Sequence, residues 1–557
     1  MKRILCCVKL VPEKTAWDEG KNVVSRDGSL VINAADRGAL RKALEIKKAE
    51  GAELVVLSMG PAAGEDTLQD LFLYGADRVI LVCEEAFRGS DTLSTARILD
   101  RCVEQLGAFD LILTGMRSSD GETGHVGAEL AVLHGLGCVS SVTELTVEYG
   151  TVICKRLLED AVETLRIQLP CVLTVRGGHE LPPPSLADMR LAKKKTVERL
   201  DNRVLDLPEE TVGIIGSPTV VERTIPVPQP RAHCRFLSAQ EAVEILLQAK
   251  NRPQGKRSGG RKEQECLAKS AMVISLRRDA ATERTAGELL GKAKELFETV
   301  SFLQVDTASR DEVRIAQAIA EEIRAQHPYA VLFPATVRGR NLAPMCAAML
   351  GAGLTADCTE LHAKEGRLYM VRPAFSGTLL AEIVCRGELC MASVRPGIFS
   401  TGELPGNPKT LFLKDEGQVT LLGRETSHNV PPGDAEWILS GGKGIGSRAA
   451  FERLEAIGKR LGAGVCASRS AVDSGYAPYF RQVGQTGAAV SPRIYVALGI
   501  SGAVQHMAGI RGGTLLAVNH DPKAPIFQYA DFGVISSWET FVEALINSLE
   551  QQKGEDP

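Results

Sequence analysis

The residues best suited to chemistry lie near the C-terminus. Ser468-Arg469, the run Gln482-Val483-Gly484-Gln485-Thr486-Gly487, the run Ser501-Gly502-Ala503-Val504-Gln505-His506 and Asn519 put hydroxyls, amides, a guanidinium and an imidazole among glycines. Glycine lets backbone approach a ligand, and N–H groups at a strand-to-helix turn point at an anion such as a pyrophosphate. No Ser-His-Asp set, metal triad or acid–base pair accompanies them, which suits a chain whose bound cofactor does the reacting. Lys443 adds a cation inside Gly441-Gly442-Lys443-Gly444-Ile445-Gly446, a run that is not a P-loop because no Gly-Lys-Ser/Thr closes it.

A second loop runs from Gly115 through Asp120-Gly121-Glu122-Thr123-Gly124-His125-Val126 to Gly127, directly after the apolar run Leu111 to Thr114. It sits where the phosphates of a nucleotide are expected. It can equally be a solvated loop with Asp120 or Thr123 as a helix N-cap. An internal repeat bears on that choice. Phe109 to Leu145 and Tyr329 to Leu361 share a strand, a polar turn, a helix, a glycine pair (Gly135 and Gly137, Gly351 and Gly353) and a closing Thr-Glu-Leu. Only the first copy keeps the glycine-rich loop, so only the first is expected to hold a nucleotide.

The positioning elements follow from periodicity. Ile4 to Val8, Leu54 to Ser58, Val79 to Val82 and Leu111 to Thr114 read as buried strands; Ala39 to Lys48, Ala62 to Leu73 and Leu93 to Leu106 read as helices. Arg493 to Leu498 and Leu515 to Val518 read as strands, the first broken by Gly499-Ile500-Ser501-Gly502-Ala503 into a helix start. The fold class is α/β: two homologous Rossmann-like doubly wound domains plus a C-terminal α/β domain. The expected organisation is a nucleotide-binding domain over 1–200, an extended arm with a short helix at Ala239 to Gln248 over 201–250, a flexible basic linker over 251–270, a second alternating domain over 271–427, and the C-terminal domain over 428–557.

Composition excludes several classes. A chain of 557 residues exceeds one core, and net charge −4 gives no reason to invoke nucleic acid. No apolar run reaches the ~20 residues of a membrane helix. The 14 cysteines include no C-x-x-C pair, and most sit in apolar runs as buried thiols, so the cytoplasm is the expected compartment. A nicotinamide dehydrogenase is disfavoured because no G-x-G-x-x-G with a following acid is present.

The C-terminal motifs, with Asn519-x-Asp521-Pro522-x-Ala524-Pro525-Ile526-Phe527, resemble in order and spacing the FAD domain of the electron-transfer flavoprotein α subunit. The first ~200 residues resemble the β subunit through Cys7-Val8-Lys9, Asn33-Ala34-Ala35-Asp36, Met59-Gly60-Pro61, Gly75-Ala76-Asp77-Arg78 and the loop from Gly115 to Gly127. The resemblance implies two subunits fused in one chain, β-like half first. It implies FAD in the C-terminal domain, held by Ser468, Arg469, Gln482, Val483, Gly484, Gln485, Thr486, Ser501, Gly502, Ala503, Val504, Gln505, His506, Asn519 and Lys443. Arg469 is expected to stabilise anionic reduced flavin, Thr486 to meet the flavin N5, and His506 or Gln505 the pyrimidine edge. A second FAD, or AMP, is implied in the first domain at Cys7, Asn33, Asp36, Met59, Gly115, Asp120, Gly121, Thr123, Gly124, His125 and Val126.

The implied function is electron shuttling between an acyl-CoA-dehydrogenase-type or other flavin dehydrogenase and a quinone- or ferredoxin-linked acceptor, with no nucleic acid and no direct membrane insertion. Electron bifurcation stays open, as does an NADH-dependent oxidoreductase formed with partners. The alternative is a non-redox adenine-nucleotide sensor on similar α/β domains. This sequence departs from the family pattern at His125, where glutamine is usual, and at Lys443, where arginine is.

Overall fold

The computed structural model describes residues 2–13, 16–18, 23–25, 29–159, 161–177, 181–226, 234–251, 265–277, 280–375, 379–414, 416–426, 435, 437–478, 481–484, 490, 492–507, 509–510 and 513–554. They form two compact units. One comprises Met1–Ile225, Gln264–Phe375 and Leu379–Thr426; the other comprises Pro226–Glu263, Ser376–Thr378 and Ser427–Pro557. No helix of the described residues is long and apolar enough to cross a membrane.

The first unit contains two doubly wound halves. Its strands are short apolar runs because helices cover both faces: Ile4 to Cys6, Leu54 to Leu57 and Leu111 to Leu113 are inaccessible to solvent. In the first half the parallel order is Arg78–Val82, Glu53–Met59, Arg3–Cys7, Leu111–Gly115, Cys171–Val175, Gly137–Glu148. The chain starts at Arg3–Cys7, winds to one side, and returns on the other at Leu111–Gly115. Ligands of such sheets bind at the carboxyl ends flanking that reversal. The second half is parallel too, in the order Lys409–Leu413, Phe297–Thr307, Leu267–Leu276, Ala330–Pro334, Cys390–Val394, Gly353–Cys358.

The repeat extends to single residues. Ser141 and Asp357 both take positive φ (61° and 54°), and hairpins turn at Tyr149-Gly150 and at Glu365-Gly366 with positive φ throughout. Arg176 donates to Ser141 Oγ at 3.0 Å, as Arg395 Nε donates to Asp357 Oδ1 at 3.0 Å. Each half also lends the other a strand. Val419–Thr426, from the tail of the second half, pairs antiparallel with Ala161–Gln168 of the first. Thr219–Pro226, from the tail of the first, lies beside Leu379–Cys385 of the second.

Several local expectations change. Ala62 to Leu73 is no single helix but three short pieces, Ala62–Gly64, Glu65–Gln69 and Asp70–Tyr74, the last closed by left-handed Gly75. The stretch expected as an extended arm contains the strand Thr219–Pro226, whose hydrogen-bond partners come from far along the chain and leave no local signal. Its helix runs Ala239–Asn251. Residues 252–264 of the expected basic linker lie outside the described residues, and a strand already begins at Leu267.

The second unit is a six-stranded parallel sheet in the order Arg235–Phe236, Phe532–Ile535, Thr514–Asn519, Ile494–Leu498, Trp437–Gly441, Gly464–Ala467. The winding reverses between Trp437–Gly441 and Ile494–Leu498. Ala242, Val243, Leu246 and Leu247 of the helix Ala239–Asn251 are buried in one core with Phe541, Val542 and Leu545.

Candidate functional site

In the second unit, the sequence-predicted residues gather at the carboxyl ends of its central strands. Lys443 follows Trp437–Gly441, Ser468 follows Gly464–Ala467, Ser501 follows Ile494–Leu498, and Asn519 ends Thr514–Asn519. They line a cavity of about 680 Å³ together with Arg469, Gln482, Val483, Gly484, Ala503, Gln505 and His506. That volume lies in the range of cofactor sites, ~300–1,000 Å³.

Local bonds hold the rim. Gln482 bridges in parallel to Ala467, and Val483 N–H donates to Ala467 O at 2.9 Å, so the loop is laid along the strand end. Gly484 is required by its backbone: φ is 139°, and a Cβ there would stand 2.8 Å from Gln505 O. Asn519 joins two turns, donating from Nδ2 to Ile500 O at 2.9 Å and accepting from Asp521 N–H at 3.0 Å. Ser468 caps the short helix Arg469–Asp473, its Oγ accepting from Ala471 N–H at 3.3 Å. Gln485 and Thr486 lie outside the described residues.

The helix expected after Ala503 is only Val504–Met507, because Gly509 and the bridge of Val490 to Ile510 end it. An anion at this turn would therefore meet a few backbone N–H groups rather than the dipole of a long helix. Arg469 is 56% exposed and, among the described residues, is bound by its own helix neighbour, Nε to Asp473 Oδ2 at 3.3 Å. His506 lines the cavity, yet both ring nitrogens have protein partners. Nδ1 donates to Val483 O at 3.0 Å, and Nε2 accepts from Tyr495 Oη at 2.9 Å. Burial pushes its pKa down to about 4, so the ring is neutral at pH 7. It orients the loop at Val483.

Two residues that sequence reasoning missed complete this frame. Tyr495 is a wholly buried strand residue whose hydroxyl donates to His506 Nε2 at 2.9 Å. Arg481, 6% exposed, donates to Val465 O at 3.1 Å and to Glu455, anchoring the loop where it begins. An arginine directly before Gln482 was the available signal.

In the first half of the other unit, the second set of residues also converges. Asp36 accepts from Lys9 N–H at 2.7 Å and Gly115 N–H at 3.0 Å, clamping the ends of Arg3–Cys7 and Leu111–Gly115. Burial pushes this carboxyl up to about 7 despite those bonds. Asn33 donates to Arg117 O at 3.0 Å and accepts from Ser119 N–H at 3.1 Å. Lys9 Nζ reaches Asp120 at 2.8 Å. Burial would raise the Asp120 carboxyl, but the Lys9 charge, with bonds from Lys9, Ser118 and Gly121, holds it down to about 2. Cys7 and Met59 stand at the carboxyl ends of their strands, and His125 precedes the helix Val126–Leu133. Neither Thr123 nor Asp120 caps that helix. A Cβ at Gly121 would meet nothing nearer than Ser118 Oγ at 3.6 Å, so the fold itself does not demand glycine there.

The donor set of the C-terminal cavity fits FAD: two cations, hydroxyls of Ser468, Ser470 and Ser501, the Gln505 amide and glycine-lined walls suit a planar, anionic dinucleotide. Comparison with known proteins agrees. The model of the electron transfer flavoprotein domain matches residues 21–205 and again 283–411, so one model covers both halves. The model of the electron transfer flavoprotein FAD-binding domain matches residues 433–511. The electron transfer flavoprotein subunit alpha of Thermoanaerobacterium thermosaccharolyticum is 38% identical over 250 residues, 43% of this chain and 76% of the relative. That of Clostridium acetobutylicum is 33% identical over 324 residues, 50% of this chain and 96% of the relative. The acryloyl-CoA reductase electron transfer subunit beta of Anaerotignum propionicum is 36% identical over 278 residues, 43% of this chain and 76% of the relative.

Proposed function

The chain belongs to the electron transfer flavoprotein family, with both ETF-domain halves and the FAD-binding domain in one polypeptide, and from this premise we propose that it carries electrons on two nucleotide cofactors, both FAD. The single observation that carries the redox reading is the C-terminal cavity at the sheet's reversal point, ringed by Lys443, Ser468, Arg469, Gly484, Ser501 and Gln505. FAD bound there supplies reversible one- and two-electron chemistry. The chain's own groups bind and tune it. Lys443 and the N–H groups around Ser501 would hold the pyrophosphate, Gln505 and Thr486 would orient the ring system, and Arg469 would set positive charge beside it. His506 stays neutral and holds the loop at Val483.

In the first half, the loop from Gly115 to Val126 takes the ADP part of the second FAD. Gly121, which the fold does not require, leaves room for a phosphate, and the Asp120-Gly121-x-Thr123 order favours the dinucleotide over AMP. A relative that is named an acryloyl-CoA reductase subunit supports an acyl-CoA-linked flavin enzyme as electron partner. The test is acid extraction and chromatography of protein saturated with FAD. Two FAD per chain are expected; one FAD and one AMP would overturn the two-flavin reading. Replacing Gly121 by Asp and Thr123 by Val should remove one nucleotide per chain and leave the C-terminal FAD.

A further inference from the structure

Arg156 and Arg372 hold equivalent places in the two halves of the first unit, each on the second strand-arm of the turn at Gly150 or Gly366. Arg156 is completely buried and neutralised: Nη2 donates to Glu163 at 2.7 Å and Nη1 to Glu312 at 2.8 Å. Around Arg372 both carboxylates are replaced. The cross-strand partner of Arg156 is Glu163, whereas that of Arg372 is Ala381. Glu312 opens a helix capped by Asp311; the matching helix is capped by Asp91 and opens with Thr92. Arg372 is 5% exposed, and its Nε is buried with no partner among the described residues.

The loop of the first half lies against this arginine. Phe375 N–H donates to Asp120 O at 3.1 Å. His125 is wholly buried, and neither ring nitrogen has a partner among the described residues. After burial, the charges of Arg372 and Arg340 are what keep His125 neutral. The carboxylates that act on Arg372 are Asp357, which Arg340 and Arg395 already bind, and Glu122 of the facing loop. Arg117, Arg340, Arg372 and Arg395 thus face two carboxylates between them, and a buried guanidinium that has lost both of its twin's counter-ions gains from a further anion.

We propose that Arg372 and His125 together hold a phosphate group, that of the nucleotide assigned above to the Gly115–Val126 loop, so that the second half completes the binding site of the first. The proposal rests on that assignment for the source of the phosphate. Where Glu163 and Glu312 fill one half with fixed negative charge, the other half, with Asp357 and Glu122 shared among several arginines, takes further negative charge from the ligand.

Full-length chain carrying its C-terminal FAD, freed of exchangeable nucleotide, is titrated calorimetrically with AMP, adenosine and inorganic phosphate. Arg372→Gln should weaken AMP at least tenfold and leave adenosine unchanged, and Arg372→Lys should recover part of the loss. Equal AMP affinity in wild type and Arg372→Gln overturns the proposal while leaving the nucleotide site in place. Wild-type binding of phosphate but not AMP, lost in Arg372→Gln, keeps the anion site and overturns the nucleotide assignment. Binding of neither overturns both. Should Arg372→Gln lose its C-terminal flavin, Ala381→Glu supplies the missing carboxylate within an intact chain. It should weaken AMP at least tenfold, and an unchanged affinity overturns the proposal.

Discussion

Arg469 begins a five-residue helix, half exposed and, among the described residues, tied to Asp473, and its charge lines the cavity. Replacing it by alanine should lower the flavin potential by about 60 mV, or ~1.4 kcal/mol for one electron, the size of one partly screened charge. A spectroelectrochemical titration with unchanged potentials would remove the role assigned to this residue. His506 makes a pH prediction. Its pKa is about 4 folded, against an ordinary ~6.5. Between those values the unfolded chain binds a proton that the folded one does not. The stability this residue contributes is therefore complete above pH 6.5 and is lost as pH falls toward 4. From pH 7.5 to pH 5 the loss should be about 2 kcal/mol, smaller in His506→Gln, as read from denaturant midpoints. At this scale the sequence was legible where chemistry and glycine cluster, as in Ser468-Arg469 and Gln482 to Gly484. It was silent on Tyr495, whose value lies in one distant hydrogen bond.

Elements carry a different kind of information. The strands Arg3–Cys7 and Leu111–Gly115 and the helix Thr92–Leu106 follow from apolar runs and an Asp91 cap, because their period and their stop signals are local. The repeat could be read from glycine pairs and Thr-Glu-Leu closings for the same reason. The strand Thr219–Pro226 could not, since its pairing partners lie more than a hundred residues onward. The hairpin Thr151–Gln168 meets the helix Glu312–Gln326 through Arg156, set between Glu163 and Glu312 with Arg310 and Arg338 adding second bonds. Arg156→Ala removes the shared guanidinium, leaving Glu163 to Arg310 and Glu312 to Arg338 and Asn341 in a dry site, and should cost about 3 kcal/mol. Arg156→Met with Glu163→Gln and Glu312→Gln should cost much less, and chemical denaturation compares them. A mild single variant would mean that water already reaches the pair.

Over the whole of the first unit, the two halves are interlocked by exchange of edge strands as well as by a common core, in which Leu5, Ile98 and Ala131 share one apolar cluster with Met272, Leu342 and Met345. Hydrolysis of the backbone between Gly255 and Arg261 should therefore leave two fragments that co-elute under native conditions and keep their nucleotides. Fragments that separate on a sizing column would show that the exchanged strands contribute little.

The borrowed strand Val419–Thr426 also sets a clock during synthesis. When Ala161–Gln168 leaves the ribosome, the strand that will cover its outer edge is about 260 residues away, roughly 13–50 s of translation. For that interval the nascent first half displays an unpaired edge able to accept a strand from another chain. That edge, alternating buried and outward-facing residues, carries Glu163, Arg166 and Gln168, and charge on an uncovered edge discourages the wrong strand from pairing first.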